Sequence, residues 1–234
     1  MIDIHTHILP GVDDGSPSEE ASIEMLREEE RFGVTDVFLT PHYMKSRGYL
    51  RTYDENKTVF EQFSMAAKKA GISIQLHLGN EIYYTFSSIQ ALRDQTVAPM
   101  GNTPAVLIEF STSEEDEEIP EAIHNIVAMG YTPVIAHVER YSYIKTAKDY
   151  EVMRKMGALI QINAAAIVGA AGPATKKFVW KLLKSGLIDV IASDIHVFRT
   201  NYMKEAYDLI LKKFGQVITE RLFNHPIFAE TRTV

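Results

Sequence analysis

The feature that most restricts the fold is a repeated order of segments: an apolar run of strand length, a loop, a helical pattern closed by glycine, then another apolar run. The runs are the residues leading to Ile4, then Val34 to Thr40, Ile72 to Leu78, Ala105 to Ile108, Thr132 to Ala136, Ala158 to Ile162 and Leu187 to Ala192. Ser16-Pro17-Ser18-Glu19 reads as a capping box with proline at the first helical position, opening a helix to about Phe32 that Gly33 ends. Further helical patterns are Val59 to Ala70 before Gly71, Ser87 to Arg93, Pro120 to Gly130, Lys148 to Met156 and Ala174 to Lys184. The last two lie near Tyr202 to Phe214 and Val217 to Phe223, with the tail expected to lie over the outside. Near-continuous apolar strands joined by helices indicate a parallel sheet covered on its outer face. About seven such units in 234 residues predict a closed or nearly closed α/β barrel, with an open doubly wound sheet as the alternative.

Composition narrows the chemistry. With 46% hydrophobic and 24% charged residues, the chain has the make-up of an ordinary globular protein and is expected to form one domain over residues 1–234. A formal charge of -7 argues against nucleic acid as the main partner, because phosphate-backbone binding rests on clustered Lys and Arg. Zero cysteines exclude disulfides, thiolate zinc sites and a cysteine nucleophile. No run has membrane length and no basic region followed by an apolar core opens the chain, so no membrane insertion and a cytoplasmic location are expected.

The ends of the strands carry the polar residues. Side chains two apart on a strand share a face, so His5 and His7 can aim at one point. His42, Glu81, Glu109, His137 and the pair Asp194 and His196 also follow predicted strands at their carboxyl ends. In a β/α barrel those ends form the rim where active sites are built, and imidazoles converging with carboxylates there point to a metal site. His77, His124 and His225 have no such placement and are read as structural or solvated, and the acidic run Glu114 to Glu118 as a solvated loop.

These residues stand in blocks: Asp3-Ile4-His5-Thr6-His7 with Val12-Asp13-Asp14-Gly15, Thr40-Pro41-His42, Gly79-Asn80-Glu81-Ile82-Tyr83-Tyr84, Leu107-Ile108-Glu109-Phe110, Pro133 to Tyr141, and Ala192-Ser193-Asp194-Ile195-His196. In them the chain resembles the polymerase and histidinol phosphatase (PHP) superfamily. More specifically, it resembles the manganese-dependent protein tyrosine phosphatases encoded with capsule and exopolysaccharide genes in Gram-positive bacteria. The resemblance implies a distorted (β/α)7 TIM-like barrel holding three metal ions, with manganese favoured and iron or zinc as alternatives. By the same resemblance His5, His7, Glu81 and Asp194 hold the first ion; Glu81, Glu109 and His137 the second; Asp14, His42 and His196 the third. Val138 and the run Asn163-Ala164-Ala165-Ala166 depart from the pattern at positions that are not ligands.

The implied chemistry is metal-assisted phosphoester hydrolysis, since a bound ion lowers the pKa of water to about 7 in favourable cases. Arg140 and Arg199 are the candidates for a planar clamp on phosphate oxygens. Asp14 or a metal-bound water is the candidate general acid. Tyr43, Arg47, Tyr49, Arg51, Tyr83 and Tyr84 are expected on rim loops, where they could stack on a phenyl ring and attract an acidic peptide. The expected substrate is phosphotyrosine on the tail of a bacterial tyrosine kinase that regulates polysaccharide export. The alternatives are a small-molecule phosphatase such as histidinol phosphatase and a metal-binding regulatory module without turnover.

Overall fold

The computed structural model describes residues 1–112, 118–144 and 146–229. The acidic run from Glu114 therefore lies outside the described residues, apart from Glu118. Strand β1 (Ile2–Thr6) leads to helix α1 (Glu19–Arg31), and β2 (Asp36–Leu39) with β3 (His42–Tyr43) leads to α2 (Tyr53–Lys69). Next come β4 (Gln75–Leu78), β5 (Glu81–Tyr83) and α3 (Phe86–Arg93), then β6 (Ala105–Glu109), α4 (Ile119–Ala128), β7 (Thr132–Ile135) and α5 (Ala147–Lys155). Strand β8 (Leu159–Asn163) runs into α6 (Ala164–Val168) and α7 (Pro173–Lys184). Strand β9 (Val190–Ala192) is followed by α8 (Met203–Phe214), α9 (Gln216–Phe223) and α10 (Pro226–Ala229).

Every strand pairing is parallel, in the orders β1-β2-β4 and β3-β5-β6-β7-β8-β9. Two of the expected strands are each broken. The second breaks at Thr40-Pro41, where proline has no N–H to give to a ladder, and the third at Gly79-Asn80. Because β3 resumes beside β5 as β2 pairs with β4, the two halves still occupy adjacent barrel positions. The ring returns to β1 through the bridge Thr6 to Ile195 and the bonds Asp194 N to His5 O (2.9 Å) and His7 N to Ile195 O (3.0 Å). Seven strand positions with helices outside make a distorted (β/α)7 barrel and exclude the open doubly wound sheet.

Alternation along the strands sorts the layers. Val106, Ile108, Ile135, Ile160, Ile162 and Ile191 face the helices in one large cluster, while Leu107, Val134, Ala136, Val190 and Ala192 face inward. Three local outcomes differ from expectation. The first helix is capped by Ser18, whose hydroxyl accepts from Ala21 N, because Ser16 is buried and its backbone closes the preceding loop on His7 O and Gly11 N. Helix α6 is an added element between β8 and α7. The tail does not simply cover the outside: Phe228 is fully buried in the inner cluster, edge-on to Phe38 at 5.4 Å.

Candidate metal centre

Strand β1 reaches the site by a change of face. Its register against β2 slips by one residue between Asp3 and Thr6. Ile2 and Ile4 can thus join the inner cluster while His5 and His7 also point inward, the re-aiming that a bulge produces. Asp3 turns the other way and accepts the backbone N–H of Ser193 at 3.0 Å. The loop after β1 then folds back so tightly that a Cβ on Gly15 would lie 2.0 Å from the carbonyl oxygen of His7. Any side chain at Gly15 would displace that histidine.

All nine expected ligands meet at this end of the barrel. His5 and His7 bring their Nε2 atoms to 3.3 Å from each other and each to 3.2 Å from Glu81 Oε2, with Asp194 Oδ1 at 3.7 and 3.6 Å. His137 Nε2 lies 2.9 Å from Glu81 Oε1 and 3.5 Å from Glu109 Oε1. His42 and His196 each place Nε2 3.6 Å from Asp14 Oδ1. Among the described residues three groups have ligand atoms within 4.8 Å of one another: His5, His7 and Glu81; His42, Glu81 and Glu109; and His7, Asp14, His42 and His196. Glu81 is shared by two of them. In the second group His42 joins Glu81 and Glu109 where the resemblance implied His137, and His137 stands beside the same two carboxylates.

The electrostatics are those of a cation site. Among the described residues Glu81 Oε2, Glu109 Oε2 and Asp14 Oδ1 are buried with no hydrogen-bond partner, and a buried carboxylate oxygen without a donor is costly unless a cation takes its place. Burial, with Glu81 adding to it, pushes the Glu109 carboxyl up to about 8. Burial acts in the same sense on Glu81 and Asp194, but the imidazoles of His5, His42 and His137 around them win and hold both well below the usual range. Burial and the neighbouring His7 push His196 down to about 3, so it is a neutral ligand. Carboxylates and imidazoles in one pocket, with no thiolate, suit manganese, iron or zinc.

Asp13 has no role in the sequence reading. Its Oδ2 accepts from His7 Nδ1 at 2.7 Å and from His42 N at 3.0 Å, and its Oδ1 accepts from Gly15 N at 2.9 Å. Burial opposes its ionisation, yet His7 and these bonds hold it down at about 2. The ionised Asp13 therefore fixes His7 with Nε2 directed at the cluster. Asp13 stands beside Asp14 in the block Val12-Asp13-Asp14-Gly15; the two offer the same chemistry and nothing local separates them.

Around the cluster, Arg140 Nη1 lies 3.4 Å and Arg199 Nη1 2.7 Å from Asp194 Oδ2, and both guanidinium groups remain partly exposed. With Asp14, His42, Glu81, Glu109 and His196 they line a cavity of about 210 Å³. The two arginines and Asp194 also border a second cavity of about 660 Å³, which the small side chains of Ala165, Ala166, Ala170 and Ala171 help to line.

The expected substrate loops divide. Tyr49 stacks on His42 at 5.8 Å and Arg47 reaches Asp14 at 3.4 Å. Arg51 instead turns to Asn56 and the carbonyl of Glu55 at the start of α2, and Tyr84 is buried against Phe110. Tyr43 is half-buried against the large helix-facing cluster, and Tyr83 is half-buried in β5. Phe198, which is not among the expected site residues, is 69% exposed. It lies 5.3 Å from the His196 ring with the Arg199 guanidinium 5.6 Å from its centre. The sequence signal that could have found it is an aromatic residue two after the ligand His196 and next to Arg199. Outside the site, His77 bonds Asp36 at 3.3 Å and stacks on Phe38, while His124 is exposed on α4.

The sequence matches the family described as "Capsular polysaccharide synthesis, CpsB/CapC" over residues 1–227. This chain belongs to that CpsB/CapC family. It is 35% identical over 232 residues to the tyrosine-protein phosphatase CpsB of Streptococcus pneumoniae, covering 95% of each chain. It is also similar to a structure from a study of YwqE from Bacillus subtilis and CpsB from Streptococcus pneumoniae, described there as unique metal-dependent tyrosine phosphatases. The TM-score is 0.87 at 30% identity, over 94% of this chain and 90% of the other. A phosphotriesterase homology protein from Escherichia coli, 10% identical with a TM-score of 0.60 over 95% of this chain and 94% of the other, shares the fold. Among the described residues no helix is long and apolar enough to cross a membrane.

Proposed function

We propose that this CpsB/CapC-family chain is a metal-dependent tyrosine phosphatase, a single phosphatase domain over residues 1–234 that hydrolyses phosphotyrosine directly, without a covalent phosphocysteine. The observation that carries this reading is the meeting of four carboxylates and five imidazoles, several of their buried oxygens lacking donors, beside two arginines on one small cavity. His5, His7, Glu81 and Asp194 would hold one ion, Glu81, Glu109 and His137 a second, and Asp14, His42 and His196 a third, with manganese the preferred metal. When bound, the ions supply charge neutralisation for phosphate oxygens and acidify water. Arg140 and Arg199 take non-bridging phosphate oxygens. Asp194 holds both guanidinium groups in place, so their geometry is set before substrate arrives. Tyr49 and Phe198, on the outer sides of His42 and His196, flank the pocket mouth where the tyrosyl ring of a substrate would lie. A phenolate is also the easier leaving group, with tyrosine's pKa near 10.

The chain's place in a capsule-synthesis family supports a cytoplasmic substrate, the phosphotyrosine-bearing tail of a bacterial tyrosine kinase that regulates polysaccharide export. The test compares kcat/KM on a phosphotyrosine peptide, a phosphoserine peptide and histidinol phosphate in manganese, alongside metal analysis of the purified protein. The phosphotyrosine peptide is expected to lead. Histidinol phosphate ahead by tenfold or more would overturn the substrate while leaving the barrel and its metals intact.

A further inference from the structure

Two of the residues that close on the metal cluster have backbones most side chains avoid. His137 sits at φ +32° and Asp194 at φ +52°, both in the left-handed region. Neither is glycine, and such conformations persist only where the surroundings hold them. Between them lies β8, whose sequence Ile160-Gln161-Ile162-Asn163 alternates apolar side chains facing the helices with two amides facing the barrel. Gln161 is fully buried and Asn163 nearly so.

The amides form a chain of bonds whose direction is fixed at both ends. The backbone N–H of His137, which can only donate, lies 2.7 Å from Gln161 Oε1. That atom must therefore be the carbonyl oxygen, because a flipped amide would set two donors against each other. Gln161 Nε2 then donates to Asn163 Oδ1 at 2.9 Å, and Asn163 Nδ2 donates to Asp194 Oδ2 at 2.8 Å. The ionised carboxylate at the far end only accepts, so the same polarity is required there. His5 Nδ1 is also on Gln161 Oε1, at 3.3 Å. Facing an obligate acceptor, Nδ1 carries the proton in the neutral ring, and the Nε2 lone pair is left toward His7, Glu81 and Asp194.

We propose that Gln161 and Asn163 are positioning residues: they set the tautomer of His5, hold the left-handed backbone of His137 and fix the carboxylate of Asp194, so that three ligand side chains from three strands are aimed before an ion binds. Asp13 does the equivalent work for His7 from the other side of the pocket. The proposal rests on the metal-centre reading above, and its test reads metal and tautomer without phosphatase activity, so failure of the two can be told apart.

The test uses full-length protein carrying Gln161→Leu, Gln161→Glu or Asn163→Ala. Long-range proton–nitrogen NMR of the metal-free protein, at a pH where the His5 ring is neutral, reads the tautomer. Manganese titration followed by the EPR signal of the free ion reads affinity. Wild type is expected to show the Nδ1–H tautomer. Gln161→Leu should lose that preference and weaken manganese binding by about 10- to 100-fold, the usual cost of removing a partner that orients a ligand. Gln161→Glu keeps the acceptor but not the donor, and should retain the His5 tautomer while weakening manganese binding less. Asn163→Ala should behave likewise, since it cuts only the arm to Asp194. If Gln161→Leu fails to fold, these two variants still decide. An Nε2–H tautomer in wild type, a tautomer lost in Gln161→Glu, or manganese affinity within twofold of wild type in the folded variants would overturn the proposal.

Discussion

The two ends of the barrel interior are built from the same strands and have opposite characters. On β6, Leu107 faces the lower interior and Glu109 the upper; on and just after β9, Val190 and Ala192 give way to Asp194; on and just after β7, Val134 and Ala136 give way to His137. The lower half is apolar and plugged by Phe228 against Phe38. The upper half is a concentration of charge in which, among the described residues, Glu81 Oε2, Glu109 Oε2 and Asp14 Oδ1 lack hydrogen-bond donors. One end gains free energy from burial; the other is unfavourable as a bare protein and gains only from what it binds. On β6 and β9 two residues suffice to pass from a stability site to a chemical one, because side chains two apart share a face; after β7 the left-handed backbone of His137 makes the turn in one.

The largest expected effect is at the upper end. Glu81→Ala, and separately Asp194→Ala, should lower kcat by at least about 10³-fold and reduce bound metal. The chelated variants should also lose some thermal stability, since Asp194 accepts from Arg199 and Asn163 and Glu81 is bonded to His137. Near-normal rate and metal content would take that residue out of the centre. At the lower end Phe228→Ala should cost about 3–5 kcal/mol of unfolding free energy, measured by denaturant melts, through lost burial and the cavity left behind. Its kcat should stay within a few-fold of wild type. A collapse of kcat in the still-folded variant would show that the two ends are coupled.

Next in size, Arg140→Ala and Arg199→Ala should each keep bound metal and lose about 10²-fold in kcat, with Arg140→Lys recovering only part. Metal loss in these variants would assign the arginines to the cluster instead of the substrate. The smallest effect sharpens the comparison from outside the barrel interior. Glu29 is fully buried on α1, where its carboxyl Oε1 accepts from the Asn201 side chain. Burial, and then the nearby Asp3, push its carboxyl well above the ordinary value. The folded state therefore binds a proton there that the unfolded chain has already released. Stability is full below the unfolded value near 4.5 and falls as pH rises toward the folded value. Glu29→Gln should flatten that fall and modestly raise the thermal midpoint at pH 8 relative to wild type. An unchanged pH slope would mean that Glu29 is ionised and paired in the folded protein.

Much of this was legible in the chain itself. Most strands that position a ligand follow from local periodicity with glycine or proline punctuation, the short β3 and β5 that carry His42 and Glu81 excepted, and the ligands are visible because histidine and acid residues close runs that are otherwise apolar. The limits are equally local. The break of the second strand could be read from Pro41, but the offset pairing of β3 with β5 could not, because register depends on the neighbouring strand. The slip in β1 is of the same kind: strict alternation would not turn both Ile4 and His5 inward.

What the sequence determined by itself was the order of the elements and the chemistry at their ends, since both are encoded within a few residues. What only the tertiary structure decided was which groups share a partner. Asp13 became the support of His7, and Asp14 stayed with His42 and His196. Gln161 and Asn163 became a bonded path from His137 to Asp194. Arg51 was drawn to α2, and Phe198 was left exposed beside the cluster. Those outcomes depend on distances between segments far apart in the chain, and on donors and acceptors that count only once folding has removed the water that would otherwise satisfy them.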